Sequence, residues 1–478
     1  MALGLIVLIL KIYFIVLIVI MMIYGLRHII FTHNRLYMRQ KVSYRDVMDS
    51  DLPKVTVVIP MHNEEAVLDN VIESLLKCDY DWDRLEIIPI NDHSTDRTGE
   101  MLRAYHARYP FIRPLHRYGD DILRGKPAGL NDAIALATGE VIIVFDADYR
   151  PSRNLLKKLA TPFTDPEVGA VMGRVIPLNA NHNLLTCLLN LERTGGYQVD
   201  QQARYNMGLV PQYGGTVGGF RRSVIVAEGG FDTKILAEDT ELTYRLYTTG
   251  WTVVYDNSAE CYEEAPETWA VRAKQIRRWA RGHNEVMFKN FFRVIFTPYL
   301  SIMQKVDGMM LLLVYFMPFL LALGHIDCLI LFFLGEMELF SGWFILLFIG
   351  VYNSWGNFAP FYEIGAGTIL DGLTREILAL PMLCFSFYFY MWHISRGFLD
   401  AVVDRVTRRN VTWNKTDRFA GKKGNGAASA PTDASAPDAA TPAAGSADAT
   451  TAGSVQAMTA APAHHENGAP QGGQEVKA

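Results

Sequence analysis

Val141-Ile142-Ile143-Val144-Phe145-Asp146-Ala147-Asp148 is an apolar run that stops at two carboxylates one residue apart. Its length and β-branched content read as a buried strand. Alternation along an extended chain sets Asp146 and Asp148 on the same side, so their side chains converge on one partner. Like charges held that close repel unless a cation stands between them. Hard divalent ions such as Mg²⁺ or Mn²⁺ take oxygen ligands and bridge carboxylates to a substrate's phosphates. A bare Asp-x-Asp also serves as a polar turn after a core strand, so the neighbouring sequence has to separate the two readings.

Outward from that strand, residues 54–257 alternate short β-rich runs with amphipathic stretches. That is the pattern of an α/β domain with a mostly parallel sheet. Val55-Thr56-Val57-Val58-Ile59-Pro60 leads into Met61-His62-Asn63-Glu64-Glu65 and a helical pattern over 66–76. Leu85-Glu86-Ile87-Ile88-Pro89-Ile90 ends in Asn91-Asp92-His93-Ser94-Thr95-Asp96. In open α/β sheets ligands bind beyond the carboxyl ends of strands, and three strands here end in polar clusters. Between them lies Arg124-Gly125-Lys126-Pro127-Ala128-Gly129-Leu130-Asn131, which is a surface turn if taken alone. Beside a carboxylate pair poised for a metal, its lysine and backbone N–H groups are what a diphosphate requires.

The chain has 478 residues, more than one ordinary domain. Residues 1–25 are almost wholly apolar apart from Lys11, long enough to cross a bilayer, and lack the short apolar core and cleavage point of a signal peptide. Arg27, His28, Arg35, Arg39, Lys41 and Arg45 follow, so the positive-inside rule places that end of the segment in the cytoplasm and the N-terminus outside. Cys78, Cys187, Cys261, Cys328 and Cys384 are scattered singly, which argues against a disulfide framework and a zinc site. A net charge of −5 without a basic stripe in the soluble region gives no reason to invoke nucleic acid.

Val57-Val58-Ile59-Pro60 with Asn63-Glu64, Asn91-Asp92-His93-Ser94-Thr95-Asp96, Gly125-Lys126 with Asn131, Asp146-Ala147-Asp148, Gly214-Gly215-Thr216, Glu238-Asp239 and Gln275-Ile276-Arg277-Arg278-Trp279 occur in that order. The series resembles the processive family 2 glycosyltransferases, which include synthases of cellulose, curdlan, hyaluronan, chitin and poly-N-acetylglucosamine. The resemblance covers residues 54–281 well and the membrane parts in outline. It implies a GT-A type cytosolic domain, residues 50–267, inserted between transmembrane helices.

By that resemblance Pro60, Asn63, Glu64 and Asp92 match positions holding the nucleotide's base and ribose, and Lys126 and Asp146 belong to the same nucleotide site. Asp146 and Asp148 match the motif that engages the diphosphate and its metal, with Asp148 on the ion. Asp239 matches the general base, while Gly215, Thr216, Glu238, Gln275, Arg278 and Trp279 match contacts to the diphosphate and the acceptor's terminal sugar. An inverting displacement needs a base on the acceptor side and charge neutralisation on the leaving diphosphate, so the two acidic sites do different work. Arginine's planar fork suits a phosphate, and an indole offers a flat face to a pyranose. Tyr213-Gly214-Gly215-Thr216 departs from the Phe-Phe-Cys-Gly type of many cellulose synthases, which leaves the acceptor sugar open.

Basic and aromatic residues at helical spacing between 268 and 306 read as amphipathic interface helices. Membrane helices are expected within 307–398, over 309–323, 340–352 and 377–394, with 328–334 either a fourth crossing or an extension of the first. Arg396, Arg405, Arg408, Arg409 and Lys415 place the end of the last segment in the cytoplasm, which requires an even number of crossings after the soluble domain and favours four. Residues 399–420 contain Thr412, Trp413, Lys415 and Arg418, resembling the family's gating loops; residues 421–478 are rich in Ala, Gly, Pro, Ser and Thr and are expected to be disordered.

The expected function is a multi-pass inner or plasma membrane synthase. It would polymerise sugars from UDP-glucose or UDP-N-acetylglucosamine with Mg²⁺ or Mn²⁺ and pass the chain across the bilayer, among membrane lipids and with export or regulatory subunits as further partners. The rival is a nonprocessive transferase acting on a lipid such as diacylglycerol. A noncatalytic nucleotide-binding transport protein would need neither Asp239 nor the Gln275 to Trp279 motif.

Overall fold

The computed structural model describes residues 2–42, 47–119, 125–212, 214–336 and 358–407. The strands are β1 (Val55–Met61), β2 (Leu85–Asp92), β3 (Leu115–Arg117), β4 (Val141–Val144), β5 (Arg150–Pro151), β6 (Val168–Pro177), β7 (Gly218–Arg221) and β8 (Thr252–Glu263). They form one sheet in the order β3-β2-β1-β4-β7-β6-β8-β5. β1, β2, β3 and β4 run parallel, β7 is antiparallel between β4 and β6, and β8 returns parallel to β6. β1 and β4 are buried on both faces, as strands covered on each side must be, and this explains their unbroken apolar sequence.

The helices of the domain are α2 (Leu68–Leu76), α3 (Thr98–Arg108), α4 (Lys126–Leu136), α5 (Leu155–Ala160), α6 (Leu184–Thr194), α7 (Gln202–Asn206), α8 (Arg222–Ala227) and α9 (Glu238–Thr248), after an N-terminal α1 (Ala2–Tyr37). On one face of the sheet Val57, Ile59 and Ile143 pack against Leu68, Ile72, Leu75 and Leu156. On the other, Val58, Ile142 and Val144 join Leu130, Ile134, Ile225, Leu242 and Leu246. That second core continues through Val286, Met287 and Val294 of α10 (Trp269–Phe296) to Leu312 at the end of α11 (Ile302–Leu312) and Phe398. This second core and the apolar helices are therefore packed as one body.

α1 and the segment Glu376–Thr407 are each long and apolar enough to cross a membrane; the latter includes α14 (Leu383–Thr407), which follows α13 (358–370). α11 and α12 (Met317–Phe333) pass the same test only as a pair bent by 67°. The crossing expected over 309–323 is thus broken after Leu312, with Phe316 at the start of α12 and Pro318 in its first turn, where a missing N–H does no harm. Residues 328–333 are the end of α12, so they extend that helix and form no separate crossing. The crossing expected over 340–352 and the gating-loop candidates Thr412, Trp413, Lys415 and Arg418 lie outside the described residues, as does the tail.

Between α6 and α7 the chain winds as a π-helix, Gly195–Gln201, a form that recurs at functional sites. Ion pairs hold this turn from several directions. Arg27 of α1 pairs with Asp200, Arg204 bridges Asp200 and Asp307, and Arg35 donates to Gln198. Gln198 also donates to Asp371, which receives Arg174. His28 reaches Glu363 of α13 at 2.6 Å.

Candidate active site

The carboxyl ends of β1, β2 and β4 open into a cleft of about 1580 Å³ whose opposite wall is built by the π-helix, the start of α9 and α10. β4 stops at Val144, where its pairing with Gly218 ends, and Asp146-Ala147-Asp148 lies in the following turn, closed by the Tyr149 N–H on the Asp146 carbonyl. The expectation that both acids share one side of a strand is corrected by this turn. Both still line the same cleft.

Asp146 accepts from Lys126 at 3.0 Å, and its N–H donates to the Thr216 hydroxyl. Lys126 also bonds the Gly215 carbonyl at 3.3 Å and stands 3.7 Å from Glu238. Burial opposes its charge, yet Asp146, Glu238 and Asp239 together hold the ammonium's pKa above the ordinary lysine value. Gly125, at φ +116°, sits just before α4 and donates its N–H to Asp92, which is also gripped by Arg117 and His93. The end of β2 is thereby tied to the N-terminus of α4, whose first-turn N–H groups and dipole favour an anion.

Across the cleft, α9 begins Glu238-Asp239-Thr240. Burial pushes the Glu238 carboxyl up to about 7; Lys126 works against the shift and Asp239 adds to it. Asp239 accepts from the Thr240 N–H at 2.7 Å. Gly215 is positioned so close that a Cβ there would lie 2.6 Å from the Asp239 carboxylate, and its φ of +73° already favours glycine. Gly282 of α10 fits α9 as tightly, since a Cβ would meet the Ala237 nitrogen at 2.8 Å.

Gln275, Arg278 and Trp279 line the cleft from α10. Arg272 lies between the rings of Trp279 and Tyr390, 5.2 and 5.1 Å from their centroids, and donates to Gln275. Glu192 of α6 stands 3.5 Å from Arg272 and accepts from Tyr390. The indole is thus set by a guanidinium that an acid and a tyrosine hold in place.

Of the residues expected at the nucleotide site, Pro60, Glu64, Asp92, Lys126 and Asp146 line this cleft. Asn63 does not. At φ 53° it turns the chain, and its side-chain oxygen accepts from the N–H groups of Thr95 and Asp96. Sequence reasoning missed Arg117, Arg272, Glu192, Tyr197, Asp200, Gln201 and His283. Arg272 and His283 sit on α10, Glu192 on α6, and Tyr197, Asp200 and Gln201 on the π-helix, while Arg117 acts through Asp92; none belongs to a local motif, and tertiary folding brings them together.

Residues 53–282 match the family model described as "Glycosyltransferase like family 2". Over those residues the chain matches a family 2 glycosyltransferase domain, and its fold is GT-A-like. It is 37% identical over 268 residues to the probable glycosyltransferase YdaM of Bacillus subtilis, covering 55% of this chain and 64% of that protein. It is 30% identical to a beta-monoglucosyldiacylglycerol synthase of Synechocystis over 56% of this chain and 55% of the other. It is 27% identical to the poly-beta-1,6-N-acetyl-D-glucosamine synthase of Staphylococcus aureus over 53% and 60%. The matches span between about half and just under two thirds of these relatives' lengths. The mannosyltransferase PcManGT from Pyrobaculum calidifontis, solved with GDP-Man and Mn²⁺, shares the fold at a TM-score of 0.53 and 21% identity, over 75% of this chain and 98% of that one.

Proposed function

We propose that this chain is a membrane-embedded, inverting glycosyltransferase that takes hexosyl units from UDP-glucose or UDP-N-acetylglucosamine. It adds them to a β-linked polysaccharide that it passes across a membrane by several crossings, with the catalytic domain cytoplasmic. The observation that carries this reading is that one continuous cleft holds the anion-binding strand ends, the Asp239 carboxylate and the Trp279 indole on facing walls.

In this reading Asp92 and Glu64 hold the nucleoside, and Lys126 and Arg278 bind the diphosphate. Trp279 stacks on the acceptor sugar. Asp239 removes the acceptor hydroxyl proton as that oxygen bonds to the anomeric carbon, and the carbon–oxygen bond to the diphosphate breaks with its electron pair leaving on UDP. Attack from the face opposite the leaving group inverts the anomeric centre.

Among the described residues no group of three or more His, Cys, Asp or Glu is placed to hold an ion alone. Asp148 with Asp146 is a hard oxygen pair, which fits Mg²⁺ or Mn²⁺ completing its shell with diphosphate and water. When bound, such an ion neutralises charge on the leaving diphosphate.

A second reading, single transfer to a membrane lipid, is favoured by Leu311 of α11 and Tyr315 beside it. Both line the cleft at the bend between α11 and α12, where a lipid hydroxyl could enter. Incubating the purified full chain with individual UDP-sugars and Mg²⁺ or Mn²⁺, and measuring UDP release and product length, separates the two. A polymer ladder supports the first reading, and a product of one sugar on lipid replaces it with the second. Asp239→Asn should keep UDP binding and lose about 10²- to 10⁴-fold in turnover; near-normal transfer would remove Asp239 from the mechanism.

A further inference from the structure

His283 occupies the cleft wall one residue beyond Gly282, where α10 and α9 touch. Its ring stacks on Tyr315 with centroids 4.3 Å apart and planes 20° apart, so its orientation is fixed. Its Nδ1 lies 3.2 Å from the Thr240 hydroxyl, the residue next to Asp239. That hydroxyl already accepts from the Gln212 amide at 2.9 Å. It has one proton to give and two acceptors within reach, His283 Nδ1 at 3.2 Å and Asp239 Oδ1 at 3.4 Å. The Asp239 oxygen is also engaged by the Thr240 N–H at 2.7 Å.

We propose that His283 is a positioning residue for the transfer step. By accepting the Thr240 hydroxyl proton at Nδ1, it withdraws that hydroxyl from Asp239 and leaves the carboxylate free to take the acceptor's proton. The inference rests on the reading of Asp239 as the base.

The chemistry is a competition for one proton. A hydrogen bond donated to a carboxylate stabilises its charged form and weakens it as a base. A neutral imidazole with its proton on Nε2 offers Nδ1 as an acceptor, whereas an imidazolium would donate instead and send the Thr240 proton to Asp239. Burial lowers the His283 pKa to about 4 although Asp239 acts in the opposite direction, so the ring stays neutral through the physiological range. The other groups acting on this corner are Lys126 from α4, Glu238 on α9 itself, Tyr197 from the π-helix and Tyr315.

The test compares His283→Phe, which keeps the ring on Tyr315, with His283→Asn, which restores an acceptor near the position of Nδ1, and with Thr240→Val. The pH profile of kcat and the KM for the UDP-sugar are measured on purified full chain. His283→Phe should move the acidic limb of kcat down by about one pH unit, reduce kcat several-fold and leave the donor KM nearly unchanged. His283→Asn should return limb and rate toward the wild type. Thr240→Val should keep the limb in place and abolish any effect of changing residue 283 on it.

An unmoved limb in His283→Phe, or a shift that persists in the Thr240→Val background, overturns the inference. If His283→Phe does not fold, a limb that drops in Thr240→Val overturns it, and one that stays, with His283→Asn silent on that background, supports it. Asp239→Asn run alongside separates the failures. If that variant is inert and the limb does not move, only the role of His283 falls; if it is active, both readings fall.

Discussion

Arg204→Met removes the guanidinium at the centre of the π-helix anchor. Arg204 is 1% exposed and bonds Asp200 at 2.6 Å on one side and Asp307 on the other, with Phe31 beneath it at 5.4 Å. Deleting one partner of a buried pair costs about 3–5 kcal/mol, because the charge left behind has no water to return to. Here the remainder is shared, since Arg27 still pairs with Asp200 and stands 3.8 Å from Asp307. At that separation an effective dielectric of 20 retains an attraction of about 4 kcal/mol, so the expected loss lies at the lower end, about 3 kcal/mol. Methionine fills much of the stem's space, which isolates the charge effect from a cavity effect.

Thermal unfolding in detergent is the assay. A loss of that size should lower the midpoint by about 5 °C or more. Adding Asp200→Asn should recover part of the loss, because it removes an acid that Arg204 holds below the usual carboxylate range against the cost of burial. An unchanged midpoint in Arg204→Met, or a further drop on adding Asp200→Asn, would refute the reasoning.

Two further outcomes follow from the geometry. Glu238 has a raised pKa of about 7, so its stability contribution is fully present below the ordinary carboxylate value near 4.5 and is lost as pH rises through 7. Donor-free Glu238→Gln should therefore show a flatter melting midpoint between pH 5 and 8 than the wild type, and parallel curves would contradict the assignment. Gly397→Ala places a methyl group 2.6 Å from the Arg277 carbonyl and 2.8 Å from Ala280, so it should cost about 1–3 kcal/mol by forcing α14 off α10. An open helix face would instead gain about 1 kcal/mol, so a rise in the melting midpoint sinks the claim of a tight seam.

The strands and their polar ends were legible because local composition carries them: β1 and β4 are continuous apolar runs, and Asp92 and Asp146 mark where β2 and β4 reach the cleft. Asp146-Ala147-Asp148 could be read as chemistry but not as a turn, because the strand's end is set by where β7 stops pairing. The turn role of Asn63 was not legible, because asparagine suits both a base and a left-handed turn, and only the position of Thr95 and Asp96 reveals the turn. The break between α11 and α12 was hidden by composition, since hydropathy is blind to a bend between two apolar halves. Apart from Asp200–Arg204, which are four residues apart, the ion pairs around the π-helix were invisible because their members lie far apart in the chain and follow no local pattern.

Those separations have a consequence for biogenesis. Arg27 meets Asp200 only 173 residues later, and His28 meets Glu363 only 335 residues later. At synthesis rates of about 5–20 residues per second, roughly 17–67 s pass between the emergence of His28 and that of its acid. By the end of that interval the strands of the sheet have been made, but the wall that the π-helix contributes lacks its C-terminal brace. A ribosome-bound chain stalled before residue 363 should therefore expose α6 and the π-helix to protease, and release past residue 371 should protect them. The order of the polypeptide thus delays completion of this cleft wall until most of the described apolar helices have left the ribosome.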